Sequence, residues 1–217
     1  MRRRVQLKQM QLAPAGPQFR QGWQHGILCQ KIADNDQLSV AARRGGAGAG
    51  VRAAAGCARF MPVQRFQDPG VLGVATSDGA SCVDLFAGSG ALGLEAASRG
   101  ASRVVLVEKS KPAAQDIRES VSRLNAVGVE VVQGDAMDWL AGCEPESLDI
   151  VFIDPPFGTG LEARALELLK AANCLRVNGV VYVETARESP FAVPGTGWEI
   201  EKEKLLGDVC MRLLKKN

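Results

Sequence analysis

The stretch that decides the fold runs from Asp84 to Glu95 and reads Asp-Leu-Phe-Ala-Gly-Ser-Gly-Ala-Leu-Gly-Leu-Glu. An apolar run that ends at Asp84, small residues after it and a helical pattern beyond predict a buried strand, a tight turn and a helix. Gly88, Gly90 and Gly93 give the spacing G-x-G-x-x-G, in which the backbone approaches a ligand closely at a helix N-terminus. This spacing suits a dinucleotide as well as S-adenosylmethionine, so it does not identify the ligand.

Acidic residues at three predicted strand ends narrow the choice. Asp84 precedes the glycines, where a carboxylate would attract the cationic amino-acid end of S-adenosylmethionine and repel a pyrophosphate. Glu108 ends the strand RVVLVE, and an acidic residue about 20 positions beyond such glycines hydrogen-bonds ribose hydroxyls. Asp135 and Ala136 end the third predicted strand, where a carboxylate and a backbone N–H would bind an adenine. The predicted cofactor residues are Asp84, Phe86, Gly88, Gly90, Glu108, Lys109, Asp135 and Ala136.

The fourth predicted strand ends in Asp154-Pro155-Pro156-Phe157, which we predict to be the catalytic segment. The prolines fix φ and remove two N–H donors, so their carbonyls are expected to face outward as acceptors. The amino group of a purine is a poor nucleophile because its lone pair is delocalised into the ring. Acceptors on Asp154 and Pro155 would hold its two N–H bonds and direct the lone pair at a methyl sulfonium, while Phe157 would stack on the ring.

Short apolar runs and helical stretches alternate from residue 81 onward, which predicts a parallel sheet covered by helices on both faces. Ligands in such sheets bind beyond the carboxyl ends of the strands. The predicted strands are 81–86, 103–108, 129–136, 148–157 and 179–185, the helices are 90–100, 112–126, 137–141 and 161–173, and 198–203 with 209–214 form a closing hairpin.

The series Asp84–Glu95, Glu108, Asp135-Ala136 and Asp154–Phe157 resembles the signature of the RsmD family of ribosomal RNA (guanine-N2)-methyltransferases. The resemblance covers residues 81–214. It implies a Rossmann-like, seven-stranded α/β methyltransferase fold with S-adenosylmethionine as donor. It also implies that the substrate is a guanine of small-subunit (16S) ribosomal RNA, free or in a pre-ribosomal particle.

Residues 1–78 are predicted to be an irregular leader, disordered or read out of frame, before a methyltransferase domain over residues 79–217. Twelve of the seventeen residues 41–57 are Ala or Gly, which is too little side-chain volume for a core. The upstream helix usual in the RsmD family is not recognisable, although residues 62–74, back-translated and read one base forward, partly recover it. Residues 1–70 carry a net charge of +8 and residues 71–217 carry −6, so a basic arm could meet phosphates.

Composition argues against other classes of protein. No run of 18 apolar residues occurs, so no membrane span is predicted. The six cysteines form no C-x-x-C pair, which argues against a zinc site or a disulfide framework and fits buried thiols in a reducing cytoplasm. His25, the only histidine, lies in the leader, so Ser-His or Cys-His catalysis is not expected. We expect a cytoplasmic monomer without a metal.

Three alternatives stay open at this point. Segments of the DPPF type also serve methylation of DNA adenine and protein glutamine, although only one helix fits between Phe157 and Gly179, which leaves little room for a DNA-recognition region. A dinucleotide-dependent oxidoreductase would leave Asp84 and Asp154–Phe157 unexplained. A non-catalytic RNA-binding protein could retain the fold, and it would bind the cofactor without transferring methyl groups.

Overall fold

The computed structural model describes residues 77–189, 193 and 197–216. The predictions for the leader, including its out-of-frame origin and its basic charge, fall outside these residues except at Ser77 and Asp78. The same holds for the expectations on His25, Cys29 and Cys57. No helix in the described ranges has both the length and the apolar character needed to cross a membrane.

The described chain contains strands and helices in alternation, followed by a hairpin. The strands are β1 (Ser81–Asp84), β2 (Arg103–Glu108), β3 (Val129–Gln133), β4 (Leu148–Ile153), β5 (Leu175–Ala186), β6 (Trp198–Leu206) and β7 (Val209–Lys216). The helices are α1 (Ala91–Ser98), α2 (Lys111–Leu124), α3 (Ala136–Ala141) and α4 (Leu161–Ala171).

The strands form one seven-stranded sheet in the order β3-β2-β1-β4-β5-β7-β6. Neighbouring strands among β1 to β5 pair in parallel, whereas β7 is antiparallel to both β5 and β6. The predicted seven-stranded α/β fold is therefore confirmed. The carboxyl ends of the five parallel strands share one edge, and the strand order reverses there between β1 and β4, which is where open α/β sheets bind ligands.

Helices cover the two faces of the sheet and close two apolar clusters. On one face, Leu94 of α1 and Ile117 of α2 are buried with Leu106 and Phe152 of the sheet. The other face buries a second cluster to which α3 and α4 contribute. Each fully buried leucine contributes about 1.5–3 kcal/mol relative to an exposed one. The strand ends that lie between these layers are consequently held on a rigid scaffold.

Several strand boundaries differ from those predicted, and the two largest differences are of four residues each. β4 ends at Ile153 rather than at Phe157, because a proline has no N–H with which to continue a ladder. β5 begins at Leu175 rather than at Gly179, since Leu175 pairs with Leu148 before the register shifts between Leu148 and Ile150. The shift leaves a polar, exposed stretch, in which Asn178 has a φ of 65°, inside a strand that looks interrupted in the sequence.

Candidate active site

Asp84 ends β1 and is buried at the switch point, with 1% of its surface exposed. Its Oδ2 accepts a hydrogen bond from the Gly93 N–H at 3.3 Å, whereas Oδ1 is buried and has no hydrogen-bond partner among the described residues. Burial raises the pKa of Asp84 to about 7, although N–H groups of Gly93 and Phe86 oppose the rise. An unpaired buried acceptor is costly, and a cation bound at Oδ1 would remove that cost.

The glycines that follow β1 differ in the space around them: Gly88, in the turn, is open to solvent on one side, whereas Gly93, in α1, is packed against the sheet. A Cβ on Gly88 would meet only the Phe86 carbonyl oxygen, at 3.8 Å, so the outer side of the turn is open to a ligand. A Cβ on Gly93 would lie 2.0 Å from Leu106 Cδ2, because α1 packs directly on β2 at this point. Gly88 and Gly93 therefore serve two purposes: close approach of a ligand and close packing of the helix.

Glu108 ties the end of β2 to the glycine turn. Its Oε2 accepts from the Gly88 N–H at 2.8 Å, and its Oε1 accepts from the Ser110 N–H at 2.7 Å. A carboxylate oxygen can accept more than one hydrogen bond, so both oxygens could also receive a pair of vicinal hydroxyls. Glu108 thus has the position that its sequence spacing predicted, and it also orders the turn.

Asp135 follows β3 and caps α3. Its Oδ1 accepts from the Met137 N–H at 2.8 Å, and its Oδ2 forms an ion pair with Lys109 Nζ at 3.0 Å. The hydrogen bond from Lys109 is the largest cause that lowers the pKa of Asp135, followed by the Met137 N–H. Ala136, the first residue of α3, is buried, and the side chain of Phe86 is half-buried against the sheet.

The segment Asp154–Phe157 extends beyond β4 at the same edge. Asp154 is half-buried and Pro155 is buried, whereas Pro156 is exposed and Phe157 is 42% exposed. The Pro156 carbonyl already accepts a hydrogen bond from Thr159 Oγ1 at 2.7 Å. The Pro156 carbonyl is thus an acceptor that the chain itself already uses once, and its second lone pair can accept another hydrogen bond. That the Pro155 carbonyl faces outward stays a prediction.

The two parts of the site lie on adjacent strands. Asp84 pairs with Phe152 of β4, and the Leu85 N–H donates to the Phe152 carbonyl at 3.1 Å. Neighbouring strands are about 4.8 Å apart, and Asp154 lies two residues beyond Phe152. The structure consequently brings the buried carboxylate and the Pro-Pro segment to the switch point, as the order of the motifs predicted.

Comparisons with known proteins agree with this geometry. A family model described as "Conserved hypothetical protein 95" matches residues 71–215. Ribosomal RNA small subunit methyltransferase D of Escherichia coli K12 is 37% identical over 137 residues, which are 63% of this chain and 69% of that protein. This chain belongs to the RsmD family. The protein of the same name from Haemophilus influenzae is 38% identical over 137 residues, 61% of this chain and 69% of that protein.

A solved structure of an Escherichia coli methyltransferase has a TM-score of 0.66 and 32% identity, and the match covers 74% of this chain and 89% of that one. The predicted family and the prediction that this chain is a methyltransferase are both confirmed. A methyltransferase needs a methyl donor, and the edge formed by β1, β2 and β3 is where this RsmD-family chain could hold one.

Several contacts at the site were not found from the sequence. The Ser110 N–H orders Glu108, and the hydroxyl of Thr159 acts on the catalytic segment. Buried Tyr182 donates from its hydroxyl to Glu184 Oε1 at 2.7 Å, one strand beyond β4. The spacing of Tyr182 and Glu184, two residues apart on one face of a mostly apolar run, was the available signal for the pair, since a buried carboxylate needs a partner.

The described cysteines fit the expectation of buried, unpaired thiols only in part. All four are free, and Cys82, Cys174 and Cys210 are buried while Cys143 is partly exposed. Burial is the main cause that raises the pKa of Cys82 and of Cys174 to about 12, which makes these thiols unreactive. Within the described ranges, no group of three or more His, Cys, Asp or Glu is placed to hold a metal ion.

Proposed function

We propose that this RsmD-family chain transfers a methyl group from S-adenosylmethionine to the exocyclic N2 amino group of a guanine in small-subunit ribosomal RNA. The observation that carries the proposal is the pairing of β1 with β4. It brings a buried carboxylate with one unpaired oxygen close to Asp154–Phe157, a segment whose acceptors would suit an amino group.

The residues present fit S-adenosylmethionine at the edge formed by β1, β2 and β3. The unpaired Oδ1 of Asp84 suits a positively charged amino group, whereas a pyrophosphate would be repelled by the same carboxylate. Glu108 suits ribose hydroxyls, and Asp135 with the N–H groups that follow suits an adenine. The open side of Gly88 leaves room for the ligand backbone. When bound, the cofactor supplies an electrophilic methyl group on a sulfonium.

The residues after β4 then act on the nucleophile. The Asp154 carboxylate and the Pro155 carbonyl would accept the two N–H bonds of the guanine amino group, and the lone pair would point at the methyl group. Phe157, which is 42% exposed, would stack on the purine. Most of this catalysis is positioning. The amino nitrogen becomes strongly acidic once it carries the methyl group, so the Asp154 carboxylate could take its proton without a strongly shifted pKa.

The acceptor is proposed from the family. The relatives from Escherichia coli and Haemophilus influenzae are named small-subunit ribosomal RNA methyltransferases, and guanine N2 rests on the resemblance of the Asp154–Phe157 series. Methylation of DNA adenine or of protein glutamine would use the same hydrogen-bond acceptors on Asp154 and Pro155. These two methyl-accepting substrates therefore remain outcomes of the test. A cytoplasmic location, a monomeric state, the absence of a metal and the domain over residues 79–217 remain proposals.

Methyl transfer from labelled S-adenosylmethionine is the test. The acceptors are small-subunit RNA and small-subunit particles that lack their natural guanine methylation, with DNA and a protein extract as comparisons. We expect label in the RNA that digestion and chromatography identify as N2-methylguanine. Label in adenine or in protein would overturn the acceptor, and tight cofactor binding without label in any acceptor would indicate a non-catalytic RNA-binding protein.

A further inference from the structure

The catalytic segment is closed by a turn whose key contact comes from a side chain. Pro156 and Thr159 are the first and fourth residues of this turn, and Thr159 Oγ1 donates to the Pro156 carbonyl at 2.7 Å. Gly158, the third residue, has a φ of 77°, the sign that the third position of a type II turn requires. The hydroxyl of Thr159 therefore braces the turn in one conformation.

Phe157 lies inside this braced turn as its second residue. Its side chain is 42% exposed, and a Cβ built on Gly158 or on Gly160 would meet no atom within 4 Å. Gly158, which follows Phe157, has no side chain that could contact the ring. The backbone that carries Phe157 is fixed by the hydrogen bond between Thr159 and Pro156 and by the fixed φ angles of the two prolines.

The same hydrogen bond distinguishes the two proline carbonyls. One lone pair of the Pro156 oxygen is used by Thr159, which favours the Pro155 oxygen as the proline carbonyl to which the proposed mechanism assigns the guanine amino group. If the turn were loose, the Pro156 oxygen would compete with the Pro155 oxygen for the guanine amino group. The lone pair of the amino nitrogen would then point away from the methyl group. A misdirected lone pair costs rate because the reaction depends on alignment of the reacting atoms.

We propose that Thr159 is a positioning residue for methyl transfer, which acts through Phe157 and the Pro156 carbonyl. The inference rests on the proposed function and adds a residue outside the Asp154–Phe157 series. Thr159 is exposed, so replacing it leaves the core intact.

Thr159→Val and Thr159→Ser are the matched pair for the test, since valine keeps the shape and removes the donor while serine keeps the donor. For Thr159→Val we expect a loss in kcat/KM of about tenfold, the size of one net hydrogen bond. S-adenosylmethionine affinity measured by calorimetry should stay within about twofold of the wild type, since Thr159 lies outside the cofactor residues. For Thr159→Ser we expect kcat/KM within about threefold of the wild type.

Phe157→Ala, alone and combined with Thr159→Val, shows whether the two residues act together. Non-additive losses would support action through the aromatic ring, whereas fully additive losses would overturn it. A Thr159→Val enzyme as active as the wild type, or a serine variant as impaired as the valine variant, would also overturn the proposal. Failure of the wild-type chain itself to methylate RNA would instead count against the proposed function.

Discussion

The proposed site has two halves that differ in order. The cofactor half, at the ends of β1, β2 and β3, is ordered by its own hydrogen bonds, whereas the substrate half after β4 is more exposed. Glu108 accepts hydrogen bonds from two backbone N–H groups. Asp135 accepts one from a backbone N–H and forms an ion pair with Lys109. Beyond β4, Phe157 is 42% exposed, and Thr159 braces the turn that carries it. This contrast fits the proposal, in which the first half binds a cofactor of fixed shape and the second receives a base.

The proposed cofactor half contains one energetically unfavourable group, the Asp84 carboxylate. Asp84 is a buried carboxylate with one oxygen unpaired, and burial raises its pKa to about 7. Such a group destabilises the ligand-free fold and gains a partner when a cation binds. The cofactor half is thus ordered except at one atom, and that atom is the one assigned to the amino group of the cofactor.

The largest expected effect separates chemistry from cofactor binding. Asp154→Ala removes one of the two acceptors for the guanine amino group, so we expect kcat to fall by about 10²–10³-fold, as for loss of one preorganised hydrogen-bond partner in a catalytic site. Cofactor affinity, measured by calorimetry, should remain within about threefold, because Asp154 lies outside the half that holds the cofactor.

Asp116→Ala is the control for this loss, since Asp116 is an exposed carboxylate on α2, away from the strand ends. It should leave both kcat and cofactor affinity unchanged. If Asp154→Ala weakened cofactor binding as strongly as it lowered kcat, the division of the site into two halves would be wrong.

Asp84→Asn should weaken cofactor binding more than it lowers kcat, which is the opposite of the result expected for Asp154→Ala. Removing the charge that faces the cofactor amino group should weaken S-adenosylmethionine binding by about 10–100-fold, the size of a charge-assisted hydrogen bond. Calorimetry measures the affinity, and kcat at saturating cofactor should fall much less. An unchanged affinity would contradict the assignment of Oδ1 to the amino group.

The pH dependence of binding tests the same carboxylate. Because the pKa of Asp84 is about 7 in the folded chain, the ionised form that binds a cation is lost as the pH falls below 7. Wild-type affinity should therefore rise between pH 5.5 and 7.5, by up to about tenfold for each pH unit, and Asp84→Asn should show no such rise. A wild-type profile as flat as that of the variant would contradict the raised pKa.

The stability of the ligand-free chain should fall as the pH rises, whereas cofactor affinity rises. The folded pKa of Asp84 lies above the unfolded value of about 3.9, so the folded state binds more protons between these values. Its contribution to stability is present below pH 4 and is lost as the pH rises through 7. Thermal unfolding should show Asp84→Asn gaining stability relative to the wild type at pH 8 compared with pH 4.

Sequence patterns predicted where the residues of the proposed cofactor half lie in the fold better than they predicted the turn after β4, for a physical reason. Asp84 and Glu108 each end a strand of the parallel sheet, and Asp135 follows one. Strand ends in such a fold meet at one edge whatever the loops do. The Thr159 contact depends on a turn conformation that the letters Gly-Thr-Gly permit without requiring it. The start of β5 at Leu175 was missed because its pairing with Leu148 is a long-range contact across a register shift.

A larger side chain should be poorly tolerated at Gly93, where α1 packs directly on β2. Gly93→Ala would place a Cβ 2.0 Å from Leu106 Cδ2 and 3.1 Å from Val104 Cγ1, so we expect a loss of about 1–3 kcal/mol in the free energy of unfolding. Gly142→Ala is the matched control, because its φ is −100° and its nearest contact would be at 3.8 Å. Equal stabilities in denaturant titration would contradict the close packing of α1 on β2.

The smallest effect concerns Lys109, which the sequence placed among the cofactor residues and which the structure pairs with Asp135 at 3.0 Å. Its side chain is 80% exposed, and exposed ion pairs contribute about 0–1 kcal/mol. In Lys109→Ala, the hydrogen bond from the Met137 N–H still keeps Asp135 ionised and in place at pH 7. Cofactor affinity should therefore change by at most about threefold, and the difference from wild type should shrink further in 0.5 M salt, which screens the pair. A tenfold loss that persists in salt would show that Lys109 contacts the cofactor itself, and the ordering of this half would then depend on the ligand.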